Sequence, residues 1–149
     1  MELKSLLVDS KTAWVEFPGM DGFEVELANL SRKELVNLRK KCTTNKFDRK
    51  TRAFNEELDE SKFLSEFTKA VVKGWKGLKL KYLEDILLVD LSGQDPEKEM
   101  DYSYENAKVL VENSAEFDNW LNEVVFDLEN FRSGSEGENP KPAKVISGQ

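Results

Sequence analysis

Two short segments of the 149-residue chain, TAWVEF over 12–17 and FEVEL over 23–27, alternate apolar and polar residues and flank Pro18-Gly19-Met20-Asp21-Gly22. A period of two is the signature of a strand with one buried face. The two glycines tolerate the positive φ values that a loop of this length demands. The pattern predicts a β-hairpin over 12–27, with Phe23, Val25 and Leu27 inside and Glu24 and Glu26 outside. A lone hairpin is marginal in water, so these apolar residues require a partner layer.

The rest of the chain offers helices for that layer. Ser31-Arg32-Lys33-Glu34 is a capping box and starts a helix over 32–42, carrying Leu35, Val36 and Leu38 toward Cys42. Asp59 caps a second helix over 59–76, in which Phe63, Leu64, Phe67, Val71 and Trp75 recur at helical spacing. The run Ile86 to Leu91 suits a short strand or a buried helix; its Leu, Glu and Asp content favours a helix over 82–91. Ser103 and Ser114 cap helices over 104–113 and 115–131, the latter with Phe117, Trp120, Leu121, Val124, Val125 and Leu128 on one broad apolar face. Residues 43–58 read as a polar connection anchored by Phe47, Phe54 and Leu58. The Gly-, Ser- and Pro-rich stretch 133–149 reads as a disordered tail. The expected architecture is therefore mainly α, a single domain over 1–132 with an N-terminal hairpin.

Composition narrows the chemistry. The chain has no histidine and a single cysteine, Cys42. Without imidazole it builds no Ser-His-Asp or Cys-His nucleophile and no His-ligated zinc site. The twelve residues from Asp90 superficially resemble a calcium loop, but Asp95 stands where the turn needs glycine and the terminal glutamate is missing. Glu56, Glu57, Asp59 and Glu60 sit at a helix start, where acids complement the macrodipole. The glycines form no phosphate-binding loop. No catalytic residue, cofactor or metal is expected. A lone cysteine, no signal-peptide core and no long apolar stretch predict a soluble intracellular protein with no membrane partner.

Charge is segregated. Residues 1–83 hold 17 basic and 13 acidic side chains, whereas 84–131 hold 2 and 14. Such a chain can contact itself head to tail or meet a complementary partner, although solvated helix faces also produce this pattern. Nine basic residues fall within 32–52, with Phe47 and Phe54 interleaved. Arg39, Lys41, Lys46, Arg49 and Phe47 are thus candidate partner-binding residues, for an acidic protein or for single-stranded nucleic acid, unless the segment is simply a solvated loop. The net charge of −7 makes nucleic acid the poorer match. Phe117 and Trp120, on an apolar helix face, are added as candidates. Cys42, beside Lys40 and Lys41, is either a thiol of lowered pKa or a semi-buried filler.

Residues 12–131 resemble the tail assembly chaperones of long-tailed, non-contractile bacteriophages. The segments that carry the resemblance are WVEFPGMDGFEVELANLSRKEL, KKCTTNKFDRKTR, VVKGWKGLKLKYLEDIL and YSYENAKVLVENSAEFDNWLNEVVFDLENF, in that order. The resemblance implies a protein of the host bacterial cytoplasm that binds the tape measure protein and keeps it soluble while tail tube subunits are recruited. It also implies absence from the finished virion and a longer frameshifted form that contacts tube protein. A homo-oligomer is compatible with it. The alternative is a small non-enzymatic regulatory module that binds an acidic protein or nucleic acid through residues 32–52.

Overall fold

The expected hairpin forms. In the computed structural model, which describes residues 1–8 and 11–132, strand β1 (Thr12–Glu16) pairs antiparallel with β2 (Glu24–Ala28), Val15 opposite Val25. Gly19 and Gly22 take φ of 84° and 83°, as the turn requires. Phe23, Val25 and Leu27 are buried, while Glu24 and Glu26 lie half-buried on the opposite face.

Helix α1 (Arg32–Lys41) carries its capping box intact. The Ser31 hydroxyl accepts from the Glu34 N–H at 3.1 Å, and the Glu34 carboxylate accepts from the Ser31 N–H at 2.8 Å. The following stretch overturns the mainly α expectation. Residues 43–58 are not a polar connection: β3 (Thr43–Asp48) and β4 (Ala53–Leu58) pair antiparallel as a ribbon of their own, with Phe47 opposite Phe54. Asp48 organises the turn, its carboxylate accepting from the Lys50 N–H and its carbonyl from the Arg52 N–H.

Helix α2 (Glu60–Val71) is capped by Asp59 and stops five residues short of the expected end. From Val72 the chain becomes strand β5 (Val72–Lys76), which adds to β2 and gives a three-stranded sheet in the order β1-β2-β5. β-Branched Val72 fits an extended backbone, and the free edge of β2 supplies hydrogen-bond partners. Trp75 is buried as expected, but from a strand, opposite Val25. The expected helix 82–91 is also corrected: α3 (Leu80–Leu83) is one turn, followed by turns and an extended segment. Its first two N–H groups donate to the Lys98 and Pro96 carbonyls, so the 96–100 segment serves as its cap.

Helices α4 (Tyr104–Asn113) and α5 (Ala115–Val125) are joined by Ser114 alone, which ends one and caps the other. The expected helix 115–131 breaks at Phe126–Leu128 and resumes as the single turn α6 (Glu129–Arg132). The expected tail 133–149 lies outside the described residues. The fold is thus mixed α/β, with two antiparallel sheets among the described residues.

Aromatic contacts knit the body. Phe17 at the hairpin meets Phe117 and Trp120 of α5 at ring separations of 5.9 and 4.9 Å, and Phe23 meets Trp75 at 6.3 Å. Gly77, at φ 78°, lies against the hairpin turn, where a Cβ would collide with the Gly22 carbonyl. Among the described residues no helix is long and apolar enough to cross a membrane.

Candidate partner-binding surfaces

The β3–β4 ribbon is held at its base and bare elsewhere. Cys42, fully buried rather than semi-buried, donates its N–H to the last carbonyls of α1 and accepts from the Asp59 N–H at 2.8 Å. That bond closes the chain across the ribbon, so α1 leads to α2 with the ribbon standing out as an arm. No residue from 49 to 57 is even half-buried. Phe47 and Phe54, 53% and 72% exposed, pack edge to face on each other at 5.2 Å instead of anchoring to the body.

The basic candidates divide between base and tip. Arg39 lies over the Phe63 ring of α2 at 5.2 Å, and Lys41 pairs with Glu66 at 3.1 Å. The Lys41 hydrogen bond holds the Glu66 carboxyl below its ordinary range. Both cations therefore fasten α1 to α2. Lys46 pairs with Glu57 across the ribbon at 3.1 Å. Among the described residues Arg49, Lys50 and Arg52, at the tip, have no ionic partner. Phe117 and Trp120 are corrected from surface to core: Phe117 has no exposed surface and Trp120 little. Their apolar face is covered by the hairpin.

A second surface escaped the sequence reading. Between the segment after α3 and helix α4 lies an apolar cleft of about 170 Å³, its walls including Trp75, Leu87, Val89 and Leu110. It opens beside a larger groove of about 610 Å³ along Leu91, Gln94 and Asp101. Leu88 is fully exposed beside the cleft, and Val109 is 51% exposed on its α4 side. The run Ile86 to Leu91 hides this arrangement, because an apolar run without periodicity reads as buried. Irregular backbone instead turns Leu88 outward.

The cleft has a pinned frame. Glu97 bonds Lys81 at 2.7 Å and Lys79 at 2.9 Å, and these bonds, Lys81 first, pull its carboxyl down to about 2. Trp75 Nε1 donates to the Met100 carbonyl at 2.9 Å, and the Tyr102 hydroxyl donates to the Val72 carbonyl at 3.0 Å. Burial raises the Tyr102 hydroxyl above its ordinary pKa.

Two carboxylates of the segment that resembles a calcium loop are engaged in turns: Asp90 accepts from the Ser92 N–H and hydroxyl, and Asp95 from the Glu97 N–H. The Ser92 bonds hold the Asp90 carboxyl below its usual range. Among the described residues no group of three or more cysteine, aspartate or glutamate side chains converges to hold a metal ion. Asp59, from the acidic cluster at the start of α2, caps the helix by accepting from the Lys62 N–H.

What these surfaces offer is recognition: an apolar cleft for an aliphatic or aromatic side chain, and a basic arm with an aromatic pair. Comparison with known proteins finds no matching family model, no matching curated protein and no matching solved structure.

Proposed function

We propose that the chain is a non-enzymatic tail assembly chaperone of a long-tailed, non-contractile phage. In this reading it binds the tape measure protein in the host bacterial cytoplasm, keeps it soluble, and helps recruit tail tube subunits through a longer frameshifted form. The observation that carries the reading is the apolar cleft with Leu88 and Val109 at its margin. A long helical client exposes apolar stripes until its tube surrounds it, and a groove with apolar lining suits the helix-in-groove mode of capture. The segments VVKGWKGLKLKYLEDIL and YSYENAKVLVENSAEFDNWLNEVVFDLENF, which carry much of the resemblance, also supply most of the walls of this cleft, Val89 and Met100 lying between them.

The test is coexpression with the tape measure protein of the same genome, followed by solubility and copurification. Wild type is expected to hold the client in the soluble fraction, and Leu88→Glu with Val109→Glu to lose it while remaining folded, because both side chains are exposed. A client that stays insoluble with wild type, or soluble with the double variant, contradicts the reading. The alternative, a regulatory module that binds an acidic protein or nucleic acid, draws on the arm-tip cations, which have no ionic partner among the described residues. It predicts partner binding that survives the cleft substitutions and disappears on charge reversal of the arm.

A further inference from the structure

We propose that the β3–β4 arm of one copy docks on the acidic face of α5 in a second copy, so that the protein assembles head to tail. The proposal stands apart from the tape measure reading, since it concerns the arm and needs no client.

Three observations lead to it. The arm carries charge that the described residues leave unpaired: Arg49, Lys50 and Arg52 are exposed and none has an ionic partner among them. The molecule also presents the complementary surface. Glu116 and Glu123 are two turns apart on one face of α5, Asp127 lies just past the helix end, and all three are exposed without an ionic partner among the described residues. The match extends to apolar groups. Phe126 and Leu128, 39% and 54% exposed, flank Asp127, Phe126 with one face stacked on Phe67, as Phe47 and Phe54 stand beside the cations of the arm.

Length and topology agree. Six residues of strand span about 20 Å, enough to cross from one body to the next. An isolated two-stranded ribbon is marginally stable, so an arm that finds a docking surface gains order as it binds. The two patches are different, so the contact is heterologous: repetition gives a ring if the rotation closes and an open helical array if it does not. The opposing charges steer encounter, and salt weakens them because screening acts over about 8 Å at physiological ionic strength.

Sedimentation of the purified chain tests this, over a range of concentrations at low and high salt. Wild type is expected to form oligomers at low salt that dissociate at high salt. Two reversed variants separate the patches: Arg49→Glu, Lys50→Glu, Arg52→Glu in the arm, and Glu116→Lys, Glu123→Lys on α5. These side chains are exposed, and retention of the circular dichroism spectrum and melting curve establishes that each variant is folded. Each variant alone is expected to associate at least roughly tenfold more weakly than wild type, in line with like charges set opposite one another. An equimolar mixture of the two is expected to recover association, because the acidic arm of one now faces the basic helix of the other. Wild type that stays monomeric at low salt and high concentration overturns the proposal. So do oligomers indifferent to both reversals, or a mixture no better than its components. Binding of a single-stranded oligonucleotide by a monomeric wild type, lost in the arm variant, would assign the arm to nucleic acid and overturn it as well.

Discussion

Two hairpins of similar strand length end up with opposite fates. In β1–β2 the alternate residues Phe23, Val25 and Leu27 are buried, and a third strand, β5, seals one edge. In β3–β4 the paired aromatics remain in solvent, and among the described residues no further strand joins either edge. Both obey the same pairing rules; what separates them is whether a face has something to pack on. The body hairpin meets α5 through Phe17, whereas the arm contains few apolar residues and spends them on each other. A ribbon that buries so little contributes little to folding free energy, so its sequence is free to serve binding.

The contrast is sharpest for aromatic residues in strands. Trp75→Ala in β5 is expected to cost about 3–5 kcal/mol, since it empties a buried site and leaves the Met100 carbonyl without its donor. Phe54→Ala in β4 is expected to cost less than about 1 kcal/mol, the worth of one exposed cross-strand pair. Denaturant unfolding of the two variants measures the difference; equal losses would erase the distinction between body and arm.

A smaller but still large effect is expected at Gly77. Its φ of 78° disfavours any side chain, and a Cβ would strike the hairpin turn at Gly22. Gly77→Ala should destabilise by at least about 2 kcal/mol, visible as a lower melting temperature. Glycine replaced without loss there would show that the β5 end and the hairpin turn are not packed as described.

The smallest effect concerns pH. The Glu97 carboxyl sits at about 2 in the folded chain against 4.5 ordinarily, so the folded state binds its proton less readily than the unfolded state. The stabilisation is therefore present above about 4.5 and fades as pH falls toward 2, and solvent screening keeps it modest. Carboxyl titration followed by NMR should place Glu97 well below the ordinary glutamate range, and Lys81→Met with Lys79→Met should bring it back. A midpoint near 4.5 in wild type would mean that the cleft frame is loose.

Much of the body was legible in the sequence because several local signals agreed. The hairpin had both alternation and turn glycines, and Ser31, Asp59, Ser103 and Ser114 each marked a helix start that the structure keeps. Where one signal stood alone, it misled. Val71 and Trp75 continue a helical spacing from Phe63 and Phe67, yet they are buried on opposite sides of a helix-to-strand junction that only pairing with β2 decides. Residues 43–58 lacked an apolar face, and strand pairing without burial leaves almost no hydrophobic pattern to read. The candidate residues divided for the same reason. Arg49 is exposed and Phe47, expected also to anchor the segment, is exposed too, but charge alone did not tell that Arg39 and Lys41 are fastened to α2. Nor did an apolar stripe tell that Phe117 and Trp120 are covered by the hairpin.

Native-state hydrogen exchange tests the division of the molecule most directly, residue by residue. The amides of β2, flanked by strands on both sides, should exchange only through global unfolding. Those of Thr44 to Glu57 should exchange through local opening, at free energies well below the global value. Arm amides as protected as those of β2 in the dilute monomer would contradict the account, because the ribbon would then be part of the folding core and not an element held out for a partner.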